Sequence, residues 1–119
     1  MYPRRIFFCL TLCLGSILLF GQKEGEEVRF EDYYLEVAVR GYFDKPTGPI
    51  TTKDLASITR FVATNRGISS IQGLQYAINL ETLVLHNNQI TDLAPLSQLK
   101  KLRVLGVSGN RVSDLRPLA

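Results

Sequence analysis

The chain has 119 residues, 45% hydrophobic and 21% charged, a composition that fits one small folded domain and excludes an intrinsically disordered chain. Its formal charge is +3, but Arg4 and Arg5 stand near the start, and from Gln22 onward 12 basic side chains face 11 acidic ones. That balance gives no electrostatic footprint for nucleic acid, and the one basic cluster, Lys100, Lys101 and Arg103, reads as a solvated outer face.

Arg4 and Arg5 precede Ile6 to Phe20, an uncharged run of apolar and small residues. The run is short for a spanning helix of roughly 20 residues, and its basic flank fits a secretory signal peptide. Residues 1–21 are therefore expected to be a signal peptide cleaved after Gly21, the nearest small-residue site being Leu19-Phe20-Gly21. Retention as a membrane anchor is an alternative. Lipidation at Cys13 is another, although Leu12 is larger than the residue that usually precedes a lipidated cysteine. Membrane contact is expected only through this segment, if it is uncleaved or lipidated. Cys9 and Cys13 are the two cysteines, so the chain beyond residue 21 can form no disulfide and no cysteine-based zinc or redox site.

Residues 22–29 are charged and contain glycine, and read as a spacer. From Phe30 the apolar residues Phe30, Tyr34, Leu35, Ala38, Val39 and Tyr42 recur at helical spacing. Glu31 and Asp32 are placed in the first turn, where acids complement the helix dipole. Asp44 to Pro49 holds two prolines and a glycine and reads as a loop. Thr51-Thr52-Lys53-Asp54 resembles a capping box and predicts a short helix from Thr52 to Ser57. Residues 30–57 are thus expected to form a helical N-terminal cap, with Phe30, Leu35, Val39 and Leu55 covering the first apolar layer of the repeats at 58–119.

Residues 58–119 carry a 22-residue period. Leu80, Leu83, Leu85, Asn88, Ile90, Leu93, Pro95 and Leu96 align with Leu102, Leu105, Val107, Asn110, Val112, Leu115, Pro117 and Leu118. The pattern L-x-x-L-x-L-x-x-N-x-I/V is that of a leucine-rich repeat. One period earlier the apolar phase persists in Ile58, Phe61, Ala63, Ile68, Ile71, Leu74 and Ala77, with Arg66 in place of the asparagine and Gly73 in place of the proline. The count is about three repeats, the last incomplete. The fold class is α/β: a short leucine-rich repeat solenoid with a parallel concave sheet, preceded by a helical cap.

Within each repeat, a strand of about three residues around Leu83 to Leu85 should send Leu83 and Leu85 inward and Thr82, Val84 and His86 outward. Asn88 and Asn110 should stack as a ladder that satisfies the backbone where the chain turns. Pro95 and Pro117 suit the first position of a short helical turn. The outward positions of three strands, Arg60, Val62, Thr64, Thr82, Val84, His86, Val104, Gly106 and Ser108, form the candidate ligand-binding surface, with Val62, Val84 and Val104 as an apolar stripe.

The segment Leu80-Glu-Thr-Leu-Val-Leu-His-Asn-Asn-Gln-Ile-Thr-Asp-Leu-Ala-Pro-Leu resembles the 22-residue repeats of internalin-type bacterial proteins. Ile68 to Leu80 is similar to that family's first repeat. Leu35-Glu-Val-Ala-Val-Arg and Ile50-Thr-Thr-Lys-Asp-Leu are similar to its helical cap. The resemblance implies an exported bacterial protein whose concave sheet binds another protein. Family members usually carry more repeats, an immunoglobulin-like domain and a surface anchor, so a fragment of a longer chain is expected.

No catalytic machinery is expected. His86 is the only histidine and lacks an evident second ligand for a metal. Asp92 and Asp114 occupy equivalent places and read as turn caps rather than paired catalytic carboxylates. No cofactor is expected. The expected partner is a protein. Two other classes share the pattern: an intracellular regulatory leucine-rich repeat subunit, and a non-catalytic module of a larger surface enzyme.

Overall fold

The structure, a computed structural model, describes residues 25–118. The expected signal peptide, with Cys9 and Cys13, lies outside the described residues. Two helices open the fold, α1 (Tyr33–Phe43) and α2 (Thr52–Ala56), followed by three strands, β1 (Arg60–Val62), β2 (Thr82–Val84) and β3 (Val104–Gly106). The strands pair in parallel in the order β1-β2-β3. Parallel strands need long crossovers, and here each returns along the convex side through a three-residue 3-10 turn: Leu74–Tyr76, Ala94–Leu96 or Arg116–Leu118. The chain is therefore a short leucine-rich repeat solenoid with a helical cap.

The 22-residue period sets the strand register. Arg60, Phe61 and Val62 pair with Thr82, Leu83 and Val84, which pair in turn with Val104, Leu105 and Gly106. Phe61, Leu83 and Leu85 are buried, together with Ile90, Leu93, Leu96 and Leu99 beneath the convex side. Burial fades along the stack. Leu93 is fully buried, whereas Leu115, one period later, is 60% exposed.

The asparagine ladder forms. Asn88 Nδ2 donates to the carbonyls of Ala63 and Leu85, both at 2.9 Å, and its Oδ1 accepts from the amides of Arg66 and Ile68 at 3.0 and 3.1 Å. Asn110 repeats the pattern, donating to Leu85 O and Val107 O and accepting from Ile90 N. Arg66, which stands where later repeats have asparagine, enters the ladder through its backbone amide alone.

The two convex prolines are corrected by one position. Pro95 and Pro117 are the second residues of their 3-10 turns, where an N–H is still not needed. The first place is taken by Ala94 and Arg116, whose amides are held by Asp92 and Asp114 at 2.9 and 3.0 Å. The missing proline of the first repeat has a steric reason. At Gly73 the backbone adopts φ +115°, and the ring of Phe30 packs so closely that a Cβ there would lie 2.5 Å from Phe30 Cδ1. Phe30, arriving from the cap, takes the space.

The cap covers the first layer with Leu35, Val39 and Leu55, all fully buried, and with the half-buried Phe30. Four sequence expectations change. Asp32 lies before α1 as its N-cap, not in its first turn. Tyr34 and Tyr42, read as part of the core face, are 55% and 47% exposed, because their positions fall at the margins of a narrow buried stripe. The spacer at 22–29 is not free along its whole length. Glu27 bridges Thr51 in antiparallel fashion, Val28 N donates to Ile50 O at 2.7 Å, and Val28 enters the core. The predicted capping box at α2 is complete, with Asp54 N donating to Thr51 Oγ1 and Thr51 N to Asp54 Oδ2; Ser57 caps the helix end rather than extending it.

Candidate functional site

Alternation along a strand sends every second side chain outward, and a 22-residue stagger aligns these positions across the sheet. The nine residues singled out from the sequence therefore make three rows. Arg60, Thr82 and Val104 form one, and Val62, Val84 and Gly106 the next, both fixed by strand register. Thr64, His86 and Ser108 continue the same period beyond the strand ends, where Asn65 N donates to His86 O and Asn87 N to Ser108 O. Val62 is 56% exposed and Val104 53% exposed. Val84 is half-buried between its neighbours.

The register revises the apolar stripe. Val62 and Val84 are direct partners, but Val104 pairs with Thr82. The three valines thus run as a step across two rows, and the place in line with Val62 and Val84 belongs to Gly106. The imidazole of His86 occupies the space above that glycine. A Cβ built on Gly106 would lie 2.6 Å from His86 Cε1. His86 Nδ1 accepts from Ser108 N at 3.1 Å, and Ser108 Oγ lies 2.7 Å away. Acceptance at Nδ1 puts the ring hydrogen on Nε2. Sequence reasoning placed His86 and Ser108 on the face but missed their contact. The signal was present in their separation of one period together with the glycine between the two rows.

Ser108 and His86 lie together, but no acid side chain is among the partners of that ring. Among the described residues, no group of three His, Cys, Asp or Glu side chains is placed to hold a metal ion. Asp92 and Asp114 cap separate convex turns, and Asp114 also pairs with Arg116 at 2.7 Å. That pairing holds the Asp114 carboxyl below its ordinary value.

Comparison with known proteins agrees with the repeat geometry. A family model described as Leucine Rich repeats (2 copies) matches residues 78–119. Internalin H of Listeria monocytogenes is 33% identical over 102 residues, covering 73% of this chain and 19% of its own. The crystal structure of the internalin inlF from the same species superposes with a TM-score of 0.72 at 40% identity, covering 75% of this chain and 27% of that one. This is an internalin-type leucine-rich repeat module. Internalin C2 of Listeria monocytogenes gives a TM-score of 0.71 at 38% identity, with 75% of this chain and 40% of that chain covered. The internalin-type module thus spans about a fifth of the length of Internalin H. The likeness extends to the helical cap as well as the repeats, since 75% coverage exceeds what the repeats alone could supply.

Proposed function

We propose that this internalin-type chain is an exported recognition module that binds a protein ligand through the concave face formed by the three rows. The carrying observation is the solvent exposure of Val62 and Val104 on a sheet face. Leaving large apolar side chains on the solvent side of a strand forgoes hydrophobic stabilisation, and an apolar centre with polar neighbours is how protein interfaces gain affinity. Arg60 and His86 add a charge and a ring N–H at the border, which suit polar contacts around that centre. Export through residues 1–21 completes the proposed role. It is supported by the uncharged run behind Arg4 and Arg5 and by the likeness to internalins.

The test compares saturable binding of the labelled protein to a panel of bacterial and animal cells. The double variant Val62→Glu/Val104→Glu should lose at least tenfold in affinity, or about 1.4 kcal/mol, with its melting temperature unchanged. The control Ile78→Glu, at a side chain equally exposed (56%) but outside the strands, should bind like the parent chain. Equal losses in both variants, or none in either, would remove the concave face from the proposal.

A further inference from the structure

Charge is divided unevenly between the two parts of the fold. Residues 25–57 hold seven acidic and four basic side chains, whereas residues 58–118 hold three acidic and seven basic. Two of the three acids in the repeats are engaged on the convex turns: Asp92 accepts from Ala94 N at 2.9 Å, and Asp114 pairs with Arg116 at 2.7 Å. The strand ends are basic. Arg60 opens β1 and Arg103 immediately precedes β3, while Arg66 and Arg111 follow the far ends of the same two strands. All four are exposed. Three are fixed by their backbone amides, which donate to Asn88 Oδ1 from Arg66, to Glu81 O from Arg103 and to Ile90 O from Arg111. Among the described residues, none of the four guanidinium groups has an acid partner. β1 and β3 are two strand spacings apart, about 10 Å, so the four arginines mark the corners of the face that carries Val62, Val84 and Val104. Glu81, the remaining acid, lies on the edge between Arg60 and Arg103 and pairs with neither.

Resting on the concave-face reading above, we propose that the partner is an acidic segment of another protein, whose carboxylates meet the corner arginines while an apolar side chain meets the valines. All four corners are Arg rather than Lys. A planar guanidinium takes a carboxylate through two parallel hydrogen bonds and gives up its water more readily than an ammonium. Charges that find no counter-charge within their own chain favour an oppositely charged partner, raising its rate of association and its sensitivity to salt. The valines between them add an apolar centre, so acid alone does not complete the match. Phosphate ligands fit less well. Proteins that hold single-stranded nucleic acid stack its bases on aromatic side chains, and none of the nine face residues is Phe, Tyr or Trp. The exposed tyrosines lie instead on α1 and the first 3-10 turn. The acidic cap of a second copy fits less well too, because its carboxylates are largely engaged: Glu36 pairs with Arg40 and Asp54 with Lys45, while Asp32 is buried.

Selection from a displayed library of short random peptides on the immobilised full chain tests it. The selected peptides should hold at least twofold more Asp and Glu than the unselected library, together with an apolar residue. Synthesised singly, they should lose at least tenfold in affinity against Arg66→Glu/Arg111→Glu. The control Lys100→Glu/Lys101→Glu makes the same change of net charge at exposed positions outside the strands, and should cost less than threefold. Both variants should melt with the parent chain. Acid-poor peptides, or equal losses in the two variants, would overturn the acidic partner. The neutral pair Val62→Ser/Val104→Ser separates this failure from that of the concave face. Acid-poor peptides that this pair still weakens would leave the concave face standing, whereas acid-rich peptides indifferent to it would remove the face and this proposal together. A single-stranded oligonucleotide or a phosphatidylserine vesicle that binds more tightly than the peptides, and is lost with Arg66→Glu/Arg111→Glu, would give the corners to phosphate and overturn the proposal. Arginine-dependent dimerisation of the chain alone in sedimentation would give them to a second copy, with the same result.

Discussion

Asp32 stands one residue before α1 and accepts five hydrogen bonds. Two come from the amides of Tyr34 and Leu35 at 2.8 and 3.1 Å, which start the helix. Three come from Ser69 N, Ser69 Oγ and Ser70 N, at 2.8, 2.9 and 3.2 Å, which belong to the first repeat. One carboxylate thus caps the helix and clamps it to the solenoid. Burial pushes its carboxyl up, but the bonds from Ser69, Leu35 and Ser70 together outweigh that and hold it below the ordinary 3.8. A depressed folded value means that the carboxylate's stabilisation is whole above the unfolded value of about 3.9 and is lost as pH falls through the folded value. Asp32→Asn keeps the shape but loses the charge, and should cost about 1–3 kcal/mol at pH 7. Thermal melts followed across pH should show the gap between the two proteins widest at neutral pH and narrowing as pH falls through the unfolded value of about 3.9 and on toward the lower folded one. A gap that stays constant with pH would place the effect elsewhere than in the charge. The local half of this role was legible as an acid at the start of a helical pattern. The clamp was not, because its partners lie 37 and 38 residues along the chain and no periodic pattern connects them.

The repeat was the most legible element. A 22-residue period carries the strand register directly, so the columns read from sequence coincide with the observed pairing. The alternation of Thr82, Leu83 and Val84 gives the faces. What the period could not convey is how two rows meet across it, as where His86 fills the space over Gly106, or which flank of α1 stays wet at Tyr34 and Tyr42. Those depend on packing between side chains that share no repeat position. The ladder joins the elements to one another, and its rungs are not equal. Asn88 is buried (5% exposed) and serves the amides of Arg66 and Ile68 as well as the Ala63 and Leu85 carbonyls. Asn110 lies at a half-buried position where water can reach the same groups. Each buried group left unpaired costs about 1–3 kcal/mol. Asn88→Ala should therefore lose at least twice the stability that Asn110→Ala loses in urea titrations. Equal losses would mean that the ladder is solvated along its whole length.

At the scale of the molecule, cap and repeats share one core. The buried cluster runs from Val28 and Leu35 in the cap through Phe61, Leu83 and Leu85 to Leu99 without a break. Repeat proteins owe their stability to neighbour interfaces rather than to any single unit, and here the first such interface is cap against strand. Tyr42 of α1 leans on Phe61 of β1 with ring centroids 6.1 Å apart, while Phe30 closes on Gly73. If this interface is as binding as its burial implies, no part unfolds alone. Leu35, fully buried in α1, is the place to test it, since Leu35→Ala opens a cavity beneath the cap worth about 2–5 kcal/mol. Three of the described tyrosines, Tyr33, Tyr34 and Tyr42, lie on α1, so tyrosine emission reports mainly on the cap, whereas far-ultraviolet circular dichroism reports on all elements. In the parent and in Leu35→Ala the two signals should give coincident urea transitions, with both midpoints lowered together in the variant and an unchanged slope. An emission transition that comes first, leaving the dichroism signal for higher urea, would mean that the cap melts as a unit of its own. The repeats would then stand without it.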